Sequence, residues 1–383
     1  MSTKLYASHT NIFILLFVSY VILAVLKVVS GIDAVFYFLI PIFLGLIMLP
    51  ISIRGELYIG PLVLFLFSLL FGGTLYFTRT SDVGSYFPLF MLCYLSLFVF
   101  YTKFYSQFNL LWVSNCCYLI YLAMSIVSYF LLSSYYRSIE SEIIASRVFH
   151  GIEGTPASID SFSIFVFLIN YFYNKGNSRW LLYFLSLSAI AMAGATTPIL
   201  VLLVVFLSYV FLKLFKSFSI LLTLFFMVMF GVFYLSISDS AANAIILVAT
   251  NGRNIIWDQQ IENLGYFNIF FGDVSSAIVK IPWSTGSALN PHNVFLFIIL
   301  RFGIVFFSML VVLLAIKGRV QDTKKKLLLM AYLGAGISNA NLFYIANPFY
   351  FYMLCFCLSS NNKVLSSQKI FAAKRAAVNI YRE

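Results

Sequence analysis

The chain has 383 residues, 62% of them hydrophobic and only 10% charged, with a mean hydropathy of +0.97 and a formal net charge of +11. A soluble globular domain carries about a quarter charged residues, so this composition excludes a soluble enzyme and a soluble nucleic-acid-binding module. The positive charge needs a cause other than nucleic acid.

Crossing a hydrocarbon core about 30 Å thick takes about 20 apolar residues at a helical rise of about 1.5 Å. Such segments recur in chain order at 10–29, 34–52, 57–77, 86–102, 108–132, 159–174, 180–194, 197–215, 218–235, 293–316, 327–341 and 344–360. Segments this long are helices, not barrel strands. They predict an all-α polytopic membrane protein of about 12 transmembrane helices, with residues 1–383 forming one integral membrane domain. The first span follows Lys4 without a small-residue cleavage site and is read as uncleaved.

The charges follow the sides of a membrane. With the N-terminus inside, seventeen of the 24 basic residues fall on inside segments, including Lys175, Arg179, Lys213, Lys317, Arg319 and Lys324–Lys326. That is the positive-inside pattern, and it places both termini in the cytoplasm. The five cysteines all lie in apolar runs and read as small buried hydrophobes. Of the 43 Phe and 25 Tyr, most read as lipid-facing or interfacial side chains. The tail after Ser360 carries basic residues spaced among small ones, as suits an anionic lipid surface.

Two outer segments are long enough to fold. The first, 133–158, contains Arg137, Arg147, His150 and a turn-forming stretch from Gly151 to Pro156. The second, 236–292, is the long polar interruption of the apolar sequence. No Gly-x-x-x-x-Gly-Lys phosphate loop, no His-Glu-x-x-His zinc motif and no Asp-x-Asp pair occurs anywhere. Chemistry driven by ATP or by a metal therefore has no motif to rest on, and no cofactor and no metal ligand set is expected.

Within the second loop, residues 251–264 have Ile256, Trp257, Ile261 and Leu264 at helical spacing, with Asp258, Gln259 and Glu262 on other faces. Asn251 is a suitable N-cap and Gly265 a suitable terminator. Arg253 then falls in the first turn, where free backbone N–H groups already favour an anion. Two readings stand for Arg253: a bidentate grip on phosphate oxygens, or a cation snorkelling at the interface. Trp257, one turn on, either stacks on a sugar or anchors the interface.

At the loop's end, Asn290-Pro291 reads as a cap followed by proline at the first helical position. His292 would then open the next span at the water boundary, where a helix N-terminus disfavours imidazolium. A neutral imidazole facing water suits a general base; the other reading is a polar residue that only starts the helix. Arg301, further along the same span, faces either a cavity or a backbone carbonyl.

Gly252-Arg253-x-x-x-Trp257, Phe271-Gly272, Pro291-His292-Asn293-x-Phe295-Leu296 and Leu300-Arg301-Phe302-Gly303 together resemble the O-antigen polymerase and ligase superfamily, with the last motif more similar to the Wzy-type polymerases. Arg147-x-x-x-Gly151 with Pro156 resembles that family's earlier outer loop, whereas Thr196-Thr197 departs from the Ser-Arg that many members carry. The resemblance implies a GT-C-like membrane fold and a metal-independent glycosyltransferase of the bacterial inner membrane, active on the periplasmic face. Undecaprenyl-diphosphate-linked glycan would be both donor and acceptor. It further implies His292 as the catalytic base, Arg253, Arg147 and Arg301 on the substrate diphosphate, and Trp257 and Asn293 on sugar. Membrane lipid, a polysaccharide chain-length regulator and a lipid-linked oligosaccharide flippase would be its partners, with no nucleic acid. An O-antigen ligase is the alternative in the same class, and a flippase or transporter the alternative in another.

Overall fold

The computed structural model describes residues 13–25 in part, 110–131, 152, 156–194, 197–215, 253–264, 268–272, 279–280, 287–288, 293–319, 321–337 and 348–358. The expected spans 34–52, 57–77, 86–102 and 218–235 lie outside the described residues. A helical stretch at Phe13–Ile22 comes first. The further helices are α1 (Leu110–Leu131), α2 (Pro156–Tyr173), α3 (Ser178–Ala193) and α4 (Thr197–Phe215). After them come α5 (Arg253–Leu264), α6 (Asn268–Phe271), α7 (Val294–Arg319), α8 (Thr323–Gly336) and α9 (Pro348–Leu358). One short antiparallel ladder joins β1 (Val279–Lys280) to β2 (Ser287–Ala288), pairing Val279 with Ala288. Each expected span among the described residues falls on a helix. Two of these, Leu110–Phe130 and Thr197–Phe215, are long and apolar enough to cross a membrane.

Helix α2 is the axis of the packing. Every described residue from Ile159 to Val166 is buried, so the helix has neighbours on all sides. It packs against α1, α3, α4 and α8. Phe162 is the hub, with ring centroids at 4.1 Å from Phe349, 5.0 Å from Tyr121, 5.5 Å from Tyr118 and 5.8 Å from Phe17. One side chain thus ties α1, α2, α9 and the N-terminal helix together, and aromatic contacts of this kind add about 0.5–1.5 kcal/mol each beyond area burial. Polar links register the same helices. Asn170 Nδ2 donates to Asn115 Oδ1 at 2.8 Å, and Asn174 Nδ2 donates to Asn170 Oδ1 at 2.8 Å.

The outward faces of α3, α4 and the second half of α7 are apolar. Phe184 is 67% exposed and Ile199 72%, alongside Leu181, Phe206, Met309 and Leu313. Helix α4 approaches α8 closely at Gly334, where an added Cβ would lie 3.1 Å from Val204 Cβ. Two glycine-containing junctions separate these helices: Asn174–Ser178 turns the chain from α2 into α3, and α3 ends on Gly194, which has φ 63°. In the first, Asn174 Oδ1 accepts from Gly176 N at 2.9 Å. Cys117 and Cys357 are buried free thiols, in keeping with their apolar sequence surroundings.

The residues at the start of α8 hold it to its neighbours. Asp322 caps α8 by accepting from Lys325 N at 2.9 Å. Lys324 Nζ donates to Phe172 O at 2.6 Å, at the end of α2, and lies 5.2 Å from the Tyr173 ring. Gln321 Nε2 donates to Leu358 O at 3.3 Å, at the end of α9. The start of α8 therefore satisfies carbonyls that two helix ends leave open, and a cation there also suits the helix dipoles.

Candidate functional site

The long polar segment 236–292 forms the expected helix over the described residues 253–264. Helix α5 covers Arg253–Leu264, and Arg253 is its first residue. Ile256 is buried, Trp257 and Ile261 are half-buried, and Asp258 and Glu262 are exposed. Gln260, which the hydrophobic spacing passes over, is fully buried. Asp258 has its carboxyl held above the usual range, first by partial desolvation and then by Glu262 one turn on. Among the described residues, no three His, Cys, Asp or Glu side chains gather as metal ligands would.

The two loop helices meet α7. Helix α5 touches both β1 and α7, and α6 packs closely along α7. A small apolar cluster seals that contact: Leu300 is buried, with Ile269 and Leu296 against it. Helix α6 stops at Gly272, whose φ of 82° lies where only glycine is readily placed. The segments Arg253–Trp257, Phe271-Gly272 and Asn293–Gly303, far apart in sequence, thus belong to one packed unit.

The start of α7 differs from the expected one. The helix begins at Val294, and its cap is Asn293 rather than Asn290. Asn293 Oδ1 accepts from Phe295 N at 2.9 Å and from Leu296 N at 3.1 Å. Those two amides have no intrahelical acceptor, and a short amide side chain one residue before the helix is placed to supply one. The carbonyl oxygen of Asn293 is therefore engaged with backbone. His292 immediately precedes this cap, and His292 and Arg147 lie outside the described residues. The expected straight helix over 293–316 is also broken, at Gly303, which has φ 78° and ψ 170°. Arg301 is carried on the segment before the break.

One polar feature escaped the sequence reading. Asp160, on α2, is fully buried within electrostatic reach of Tyr118. The Tyr118 hydroxyl lies 3.1 Å from Ser163 Oγ. Burying a carboxylate is expensive, which sets Asp160 apart within the apolar surroundings of α2. The signal was available, because Asp160 is the only carboxylate between Glu153 and Asp239. Comparison with protein-family profiles, with characterised proteins and with solved structures finds no match to this chain.

Proposed function

We propose that the protein is a multi-pass glycosyltransferase of the bacterial inner membrane that polymerises undecaprenyl-diphosphate-linked repeat units into O-antigen or a related surface polysaccharide. In this reading about a dozen spans place both termini in the cytoplasm and the 133–158 and 236–292 segments in the periplasm. The apolar outward faces of α3, α4 and α7 support a lipid environment, since a water-soluble chain rarely exposes so much contiguous apolar surface. The observation that carries the functional reading is the contact of α5 with α7. It joins the helix that Arg253 opens to the helix that follows His292 and carries Arg301.

The chemistry follows from the substrate class. His292 takes the proton from an acceptor sugar hydroxyl, whose oxygen then attacks the anomeric carbon of the donor glycan. The bond from that carbon to the diphosphate breaks, and undecaprenyl diphosphate departs with the electron pair. A diphosphate is a good leaving group once its charge is held, which assigns Arg253, Arg147 and Arg301 their role. No nucleotide or metal is needed for that balance. Trp257 offers a face for sugar stacking at the rim of the same unit.

The lipopolysaccharide ladder of a deletion strain tests the reading. A polymerase deletion leaves core capped with one repeat unit, and complementation restores the ladder. Core without any repeat unit would identify a ligase instead, and an intact ladder would reject both. Reporter fusions at Ser240 and Lys363 should read periplasm and cytoplasm, respectively.

A further inference from the structure

Helix α7 does more than kink at Gly303. Phe295 and Phe307 are twelve positions apart, yet their ring centroids lie 6.0 Å from each other at an interplanar angle of 82°. On one straight helix, twelve residues separate two Cα atoms by about 18 Å along the axis. Both side chains lean toward the N-terminus, so neither closes that gap. The contact requires the chain to turn a corner between them, with the two rings filling its inner angle.

Gly303 is the residue that turns it. Its φ of 78° and ψ of 170° lie in a region essentially restricted to glycine. Gly303 is also buried, as an interrupted backbone at membrane depth has to be. The corner divides α7 by environment. Before it, Leu300 and Leu296 pack with Ile269 of α6, while Val294 and Ile298 are buried in the main core. After it, Ile304, Val305, Met309 and Val312 are outward and apolar. The first segment thus ties α6 and the outer unit to the main core, and the second, apolar on its outward face, belongs to the membrane body.

We infer that Gly303 is a positioning residue: the corner it forms holds the outer unit, and with it the segment from Asn293 to Arg301, in a fixed direction relative to the membrane body. The corner follows from the backbone and the rings alone. Its consequence for turnover rests on the polymerase reading. Any L-residue at 303 opens the corner toward a continuous helix and swings the first segment away from the second.

The test uses the full chain in native membranes with Phe295→Cys and Phe307→Cys, linked by a short bifunctional thiol reagent. Trypsin cuts after Lys280, Arg301 and Lys317, so a linked pair appears in mass spectra as two joined peptides. We expect the joined peptides with glycine at 303 and at least a tenfold loss with Gly303→Ala at equal protein level. Absence of the link with glycine at 303 overturns the corner, even if the Ala variant fails to accumulate. An undiminished link in the Ala variant overturns the role of Gly303. In the polymerisation assay, Gly303→Ala should lower kcat at least tenfold with KM changed less. Unchanged kcat with a lost link refutes positioning. Polymer absent from the unmodified protein would count against the polymerase reading and leave the cross-link result standing.

Discussion

Replacing Asn293 tests how the proposed site is anchored. Its side-chain oxygen takes two backbone donors, Phe295 N at 2.9 Å and Leu296 N at 3.1 Å. Removing an Asn cap costs about 0.5–2 kcal/mol, while Asp and Ser cap about as well. That energy is a factor of roughly 2–30 in the local opening equilibrium. Asn293→Ala should therefore speed hydrogen exchange at the Phe295 and Leu296 amides by that factor, and Asn293→Asp should leave it close to wild type. Amides in α2, far along the chain and buried on all sides, serve as the internal reference. The Asp variant separates capping from sugar contact, because it keeps the acceptor oxygen but loses the amide donor. Exchange in the Asp variant as fast as in the Ala variant would refute the capping account. Normal exchange with lost polymerisation in the Asp variant would assign the amide nitrogen to substrate.

Other substitutions probe separate parts of the account. Gly334→Ala should destabilise the protein by about 1–3 kcal/mol through overpacking, because the new methyl meets Val204 Cβ at 3.1 Å; added Val204→Ala should restore most of the thermal midpoint in detergent, and a neutral Gly334→Ala would contradict the close approach of α4 and α8. Lys325 is buried, with Nζ 4.8 Å from the Phe356 ring, and desolvation holds its pKa below the usual 10.5 although Cys357 and Asp322 oppose the shift. The folded state therefore binds that proton less well than the unfolded state, so stability should rise as pH increases from the depressed value toward 10.5. Lys325→Met should flatten that rise, and an identical pH slope in the variant would refute it. Arg253→Lys keeps the charge but loses the planar fork; a diphosphate clamp predicts a loss of about tenfold or more in polymer formation, whereas wild-type activity would leave Arg253 a snorkelling cation. EDTA should change nothing in the same assay.

The sequence made some of this legible for clear physical reasons. Helix α5 was readable because its apolar residues recur at helical spacing between Asn251 and Gly265. The boundaries of α1 to α4 were readable because turn residues interrupt otherwise unbroken apolar runs. The corner in α7 was not, since a single glycine in an apolar run is compatible with a continuous helix. Its effect emerges only from the meeting of Phe295 and Phe307. The cap was misplaced by three residues because Asn290 and Asn293 offer the same chemistry, and Pro291 favours the earlier one. The charge of Lys324 was legible, but not its bond to Phe172, a partner 152 positions away. Asp160 was visible as a lone carboxylate, yet its proximity to Tyr118 depends on how α1 and α2 pack.

Polymerase activity is measured most directly as polymer formation by purified full-length protein in liposomes supplied with undecaprenyl-diphosphate-linked repeat units. Products are resolved as a ladder and weighed by mass spectrometry. The account predicts a ladder from wild type, one undecaprenyl diphosphate released per linkage formed, and a loss of about 10²–10⁴ in rate for His292→Ala, the usual cost of removing a general base. A ladder of undiminished rate from the His292→Ala protein, or none from wild-type protein shown to be folded, would contradict it.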